Sequence, residues 1–211
     1  MQPLKRFLNG LALVIVAPAA WSCSLEGWTR TRSHGFFTFW THVFAILPGT
    51  PGLFLRRAFY RWTLDRCTED VTIQFGVLFS RRNSVLEPGV FIGSYALIGS
   101  AWIRQNTLVG SRASLLSGGN QHQMLVSGGW SATDESKLQR LEIGANTWVG
   151  EGAILMANVG SRSMVAAGSV VSAAVPSGTM VGGNPARFVR LLHPCPESEA
   201  GVSAPPSPAV R

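Results

Sequence analysis

The chain has 211 residues, a formal net charge of +7 and only 14% charged residues, with a mean hydropathy of +0.20. That size suits one ordinary domain, and the low charge density excludes a highly charged disordered chain. Its three cysteines, Cys23, Cys67 and Cys195, lack metal-ligand spacing and are an odd number, so neither a zinc site nor a disulfide framework is indicated.

Residues 1–70 carry the apolar excess. Lys5 and Arg6 precede the run Phe7–Trp21, whose polar member is Asn9, and a second run spans Phe36–Leu47. Each is shorter than a clean transmembrane helix, and Pro18 is expected to kink or end the first one. Three readings fit: a buried helical hairpin, a signal peptide cleaved near Ala17-Pro18-Ala19, and a membrane-associated helix pair. The aromatics Trp21, Trp28, Trp40 and Tyr60 suit a headgroup level, which favours the third. Sixteen of the 18 basic residues are Arg, and Arg56, Arg57, Arg61, Arg66, Arg81 and Arg82 follow the apolar runs closely. Beside a membrane they are expected to meet anionic lipid on the cytoplasmic side of the inner membrane. Since no nucleic-acid-binding motif accompanies them, nucleic acid is not an expected partner.

From Val71 the texture changes to aliphatic–small pairs at a six-residue period. Ile92-Gly93, Ile98-Gly99 and Val109-Gly110 lead to Leu116; Ile143-Gly144 and Val149-Gly150 follow, then Val159-Gly160, Val165-Ala166 and Val171-Ser172. Neither a strand, with period two, nor a helix, with period near 3.6, produces this. A parallel β-helix does: three six-residue units make one triangular coil, with one aliphatic side chain per face turned inward and stacked at about 4.8 Å. Ile92, Ile98, Val109, Ile143, Val149, Val159 and Val165 are the expected inward residues. The spacing slips between Gly99 and Gly110 and between Gly150 and Gly160, which implies tightened corners. Residues 117–141 break the pattern altogether and read as a polar loop thrown out of a rigid scaffold. Residues 185–192 suggest a short C-terminal helix, and residues 193–211, rich in Pro, Ser, Ala and Gly, a disordered tail.

These repeats resemble the left-handed β-helix hexapeptide acyltransferases. The resemblance covers roughly 71–192. It rests on the loop Gly119-Asn120-Gln121-His122, on Asn146-Thr147-Trp148-Val149-Gly150, and on the closing run Val165-Ala166-Ala167-Gly168-Ser169-Val170-Val171 continued through Val181-Gly182-Gly183-Asn184-Pro185-Ala186. Within that family the chain is similar to O-acetyltransferases of sugars and surface polysaccharides and to xenobiotic acetyltransferases. The resemblance implies a homotrimer with sites between subunits, acetyl-CoA as acyl donor and no metal. It implies a sugar, glycan or glycolipid hydroxyl as acceptor, at the membrane surface. His122 takes the place of the catalytic base, with Asn120 beside it. Ala166, Ala167, Gly168, Gly182 and Gly183 are expected to admit the pantetheine arm, and Arg187 and Arg190 to meet the CoA phosphates. Asn146 and Trp148 are expected to support the site, although a solvated face for the arginines and ordinary packing for Trp148 account for them as well. An orienting carboxylate for His122 has only Asp134 and Glu135 as local candidates. N-acetylation of an amino sugar and a non-catalytic scaffold remain the alternative functions.

Overall fold

The computed structural model describes residues 2–28, 34–118, 122–132 and 138–192. Three helices come first: α1 (Gln2–Trp28), α2 (Gly35–Ala45) and α3 (Gly49–Thr63). A parallel β-solenoid follows. Its first coil is β1 (Arg66–Cys67), β2 (Thr72–Ile73) and β3 (Leu78–Phe79), so coiling begins five residues ahead of Val71. The second is β4 (Val85–Leu86), β5 (Phe91–Ile92) and β6 (Leu97–Ile98), and the third β7 (Ala101–Ile103), β8 (Leu108–Val109) and β9 (Ser114–Leu115). After the interrupting loop come β10 (Leu141–Ile143), β11 (Trp148–Val149) and β12 (Ile154–Leu155), then β13 (Met164–Val165) and β14 (Val170–Val171). The last coil holds β15 (Thr179–Gly182), and β16 (Arg187–Leu191) closes the chain.

Strands stack into three faces, β1-β4-β7-β10, β2-β5-β8-β11-β13-β15 and β3-β6-β9-β12-β14, every pair parallel. All seven expected inward residues are buried. In the third coil the inward residue is Leu115, while the adjacent Leu116 stands where other units place a small residue. In most units a second buried position lies two residues before the inward one, and several of its polar members bond the neighbouring coil. Thr107 Oγ1 donates to the Gly144 carbonyl at 2.8 Å and Thr147 Oγ1 to Gly160 at 2.9 Å. Glycine follows the inward residue because the coils touch there: a Cβ on Gly144 would lie 2.2 Å from the Ser161 nitrogen.

Inward residues on the first and second faces are six apart in every coil, as in Cys67–Ile73 and Ile143–Val149, and so are those on the second and third, as in Ile73–Phe79 and Val149–Leu155. Every irregularity therefore falls at the third corner, which leads into the next coil. Phe79 to Leu86 is seven residues, Ile98 to Ile103 five, and Leu155 to Val159 four. The two regular corners each hold a residue at positive φ, including Asn106 (55°), Arg112 (58°) and Asn146 (55°).

Pro18 does not end α1; the helix runs through it, with the proline exposed on the outer side. Tertiary fastening outweighs the lost intrahelical bond. Asn9 accepts from Arg57, Ser22 Oγ from Trp40 Nε1 at 2.9 Å, and the Cys23 carbonyl from Arg82 at 2.9 Å. The arginine cluster also departs from expectation. Arg56 and Arg57 are buried, and Arg82 is spent on backbone carbonyls, so these three are internal mortar rather than a lipid-facing patch. Arg56 Nε donates to the Ile73 carbonyl at 3.1 Å and Nη1 to those of Phe44 at 3.1 Å and Leu47 at 2.6 Å. It thus satisfies carbonyls left open at the C-terminal end of α2 and ties them to β2. Gly52 makes room, since a Cβ there would meet the Leu47 oxygen at 2.0 Å.

Residues 187–191 form a strand, not the expected helix. β16 runs antiparallel to β15, Gly182 opposite Arg187, after a reversal in which Gly183 has φ 97°. The last parallel strand otherwise presents unpaired backbone groups, and Phe188 and Val189 suit a strand that covers them.

Two substitutions test this architecture. Ile98→Asp puts a carboxylate into the apolar column with no partner, at a cost of several kcal/mol; loss of cooperative melting is expected, and a parental melting curve is incompatible with the register. Arg56→Met leaves buried carbonyls without a donor, and urea unfolding should show a loss of about 3 kcal/mol.

Candidate active site

The loop leaves the solenoid at the third corner, the only one the register leaves free to vary. Its roots are fixed. Ser117 Oγ accepts the Ser100 amide at 2.8 Å, and the Ser117 carbonyl accepts the Gln139 amide at 3.1 Å. Arg140 Nη1 reaches Asp65 Oδ2 at 3.2 Å. Between the roots, residues 122–131 form a hairpin: Met124 and Trp130 bridge antiparallel, the Ser131 amide donates to the Gln123 carbonyl at 2.8 Å, and Leu125 N to Gly129 O at 2.7 Å.

His122 stands exposed at the start of that hairpin, its Nδ1 3.0 Å from the Ser131 carbonyl oxygen. A carbonyl only accepts, so Nδ1 carries the proton and the neutral ring keeps its lone pair on Nε2. That is the tautomer and orientation of a general base. The group that holds the ring among the described residues is a backbone carbonyl from across the hairpin. Asp134 and Glu135 lie outside the described residues, as do Asn120 and its neighbours Gly119 and Gln121.

The remaining expected site residues divide into two groups. Ala166, Gly182 and Gly183 come together at the second corner of the last coils: a Cβ on Gly182 would lie 3.3 Å from Ala166 Cβ. Ala166 N donates to the Val181 carbonyl, Val170 N to Gly183, and Gly183 N to Ser169 Oγ at 3.2 Å. Ala167 and Gly168, at φ 67°, complete this corner on the outside. Arg187 joins the group through its register with Gly182, and Arg190, opposite Met180, lies further along the same exposed strand. Asn146 and Trp148 belong elsewhere. Asn146 turns the first corner at positive φ and accepts from Asn106 Nδ2 at 3.3 Å. Trp148 points outward, 52% exposed, in a ladder that reads Phe91, Leu108, Trp148, Met164, Met180 across the second face.

Sequence reasoning passed over one cluster beside the loop roots. The Arg104 guanidinium lies 3.6 Å from the Trp102 ring centre. Glu87 accepts from Trp102 Nε1 at 2.8 Å, from Gln105 N at 3.0 Å and from Arg104 at 3.2 Å, and Glu142 pairs with Arg104 at 2.8 Å. Burial pushes the Glu87 carboxyl up, but the hydrogen bonds and the nearby guanidinium outweigh it and leave it below the usual range. The available signal was the outward position of Trp102 and Glu142, direct partners on the first face.

No protein-family model and no curated protein matches the sequence. Solved structures do match. A maltose O-acetyltransferase from Clostridium difficile 630 is 17% identical, with a TM-score of 0.58 over 73% of this chain and 83% of that one. A galactoside acetyltransferase in complex with coenzyme A is 18% identical, with a TM-score of 0.54 over 74% and 80%. A perosamine N-acetyltransferase from Caulobacter crescentus, in complex with CoA and GDP-perosamine, is 19% identical, with a TM-score of 0.44 over 57% of this chain; the match spans about half, 48%, of that protein. The chain shares the solenoid fold of the first two, the fold that the hexapeptide resemblance implies.

Proposed function

We propose that this protein is an acyl-CoA-dependent acyltransferase that moves an acetyl group from acetyl-CoA to a hydroxyl of a sugar, glycan precursor or glycolipid. The observation that carries the reading is the His122 imidazole, held at Nδ1 by the Ser131 carbonyl, on a hairpin anchored at the variable corner of an acetyltransferase-type solenoid. In the proposed reaction Nε2 takes the acceptor hydroxyl proton as the oxygen attacks the thioester carbonyl carbon. A tetrahedral intermediate forms, its oxyanion met by N–H donors. It collapses with cleavage of the C–S bond, the imidazolium returns the proton to the departing sulfur, and the products are an acetyl ester and CoA. The small-residue corner of Ala166, Ala167, Gly168, Gly182 and Gly183 gives a pantetheine arm close access to backbone, with Arg187 and Arg190 within the same region for phosphates.

The same reading makes the working enzyme a homotrimer. Its support is the apolar surface that a single chain leaves open: the outward ladder through Leu108 and Trp148, and the hairpin's exposed Met124, Leu125, Val126 and Trp130. A hairpin that reaches an adjacent solenoid places His122 against that neighbour's outer face and encloses a site that one chain leaves open to water. Acyl-CoA supply agrees with a reaction on the cytoplasmic side.

Purified protein is expected to release CoA from acetyl-CoA when a sugar acceptor is present. His122→Ala should lower that rate by about 10²–10⁴-fold while melting temperature and mass by light scattering stay unchanged. Near-parental turnover in the variant removes His122 from the mechanism. CoA release with amino sugars but not with hydroxyl-only acceptors establishes N-transfer instead, and release with neither class leaves a scaffold.

A further inference from the structure

Helix α1 is the outermost layer of the molecule. It packs on α3 and α2, which in turn pack on the first coil through β1, β2 and β3. Its inner face, with Ala12, Val16, Ala19 and Cys23, is buried in that contact. Its outer face is equally apolar and is covered by nothing among the described residues: Phe7 is 66% exposed, Val14 71%, Ile15 56% and Trp21 68%, with Leu4 and Leu11 in the same row. Apolar grooves flank it on both sides. One, of about 230 Å³, lies between Leu11 and Ile15 of α1 and Pro51 and Phe54 of α3; the other, of about 490 Å³, is bordered by Phe36 and Phe39 of α2.

We propose that this face docks α1 in the plane of a lipid bilayer surface, as an interfacial helix and not as a spanning one. Three observations select lipid as the occupant. The row from Leu4 to Leu25 extends about 32 Å at 1.5 Å per residue, and no charged residue interrupts it between Arg6 and Glu26. The flanking charge has the sign that anionic headgroups attract: Lys5 and Arg6 are exposed at one end, while Glu26, the helix's one acid, is turned inward. Its carboxylate accepts the Phe36 amide at 3.1 Å and the Phe37 amide at 3.4 Å at the start of α2. The face is thus free of negative charge, which suits a membrane better than a second copy of a +7 chain.

Length and hydropathy alone would let Leu4–Glu26 cross a membrane. The packing argues against crossing. A spanning α1 must abandon its bonds to Arg57, Trp40 and Arg82, leave those donors open and strip the cover from α2 and α3. The second apolar run is divided: Phe37, Phe44 and Ala45 are buried in the cap, while Phe36 and Phe39 are exposed beside α1, so α2 cannot leave the cap to span a bilayer without uncovering the first three. In the docked orientation the loop roots, three coils from the cap, stand at least about 14 Å from the bilayer at 4.8 Å per coil. On the acyl-transfer reading above, that stand-off fits an acceptor carried on a lipid and projecting its sugar into water.

Sedimentation of the full-length protein with phosphatidylcholine vesicles, with and without phosphatidylglycerol, tests docking without calling on catalysis. Binding to the anionic vesicles is expected. It should weaken but persist at about 1 M salt, since salt screens Lys5 and Arg6 but not apolar contact. Phe7→Glu together with Ile15→Glu should reduce it at least about tenfold with the melting temperature unchanged, whereas Leu97→Glu on the solenoid should have no effect. Trp21 fluorescence should be quenched most by lipids brominated near the headgroup. Four results overturn the proposal: no vesicle binding, maximal quenching from the bilayer centre, a purified protein whose N-terminus begins near Ala20, or loss of a dimer in the Phe7→Glu, Ile15→Glu variant without loss of lipid binding. CoA release that continues in any of these cases leaves the acyltransferase reading standing.

Discussion

A stack of parallel coils buries its side chains only where another coil, or something else, lies above and below. Ile73 and Phe79 of the first coil are as dry as any residue in the middle of the column, and they owe this to the helices over them. Tyr60 lies 4.5 Å from Phe79, ring centre to ring centre, and Phe59 continues the contact to Phe44 at 4.8 Å. Arg56 adds what apolar packing cannot. It collects the carbonyls at the end of α2 and one from β2, so cap and solenoid share a buried polar joint whose geometry admits one docking. At the far end β16 performs the equivalent task by covering the edge of β15. The regular middle of the solenoid persists because both irregular ends are sealed.

That division explains what was legible in the sequence. The hexapeptide register named every inward residue it proposed, because an aliphatic residue followed by a small one is required wherever coil backbones touch, as at Gly144 against Ser161. Leu115 and Leu116 show where the pattern loses resolution: two adjacent leucines satisfy the composition, and only the strand pairing of Leu115 with Ile98 and Leu155 decides which one turns inward. The cap was harder to read. A third helix, α3, lay hidden because its polar residues are the ones it buries, Arg56 and Arg57 against carbonyls and Asn9, whereas hydropathy patterns assume that arginine faces water. The closing strand was misread for a related reason: residues 187–191 are all exposed and lack alternation, so nothing in their pattern reports the edge that they cover.

The same logic separates chemistry from scaffold. Six-residue spacing holds from the first to the second face and from the second to the third, so those corners are tight turns, most of them with a residue at positive φ, and take no insertion. The third corner spans from four residues to the whole interrupting loop without disturbing a single inward position. Function-bearing length can enter only there. The position of His122 inside a break of register is legible in the sequence, while its contact with a backbone carbonyl nine residues away is not, since the hairpin brings the two together. Asn146 shows a duty that the sequence did not signal: at φ 55° it turns the first corner of its coil.

Basicity, too, must be apportioned before it is interpreted. A charge of +7 invites a search for an anionic partner, yet part of it never reaches the surface. Arg56 and Arg57 are enclosed, desolvation lowering the pKa of each, and Arg82 donates to the Thr63 and Cys23 carbonyls while lying 6.0 Å from the Phe37 ring. Arg104 is compensated by Glu87 and Glu142, Arg112 by Glu151, and Arg140 by Asp65. Among the described residues, two pairs without an acidic partner lie close in sequence: Lys5 and Arg6 at the start of the apolar row on α1, and Arg187 and Arg190 on the last strand beside the small-residue corner. These two positions are at opposite ends of the solenoid. On the two proposals above, the membrane surface at the cap and the phosphate-bearing donor at the closing strand draw on different charges and do not compete.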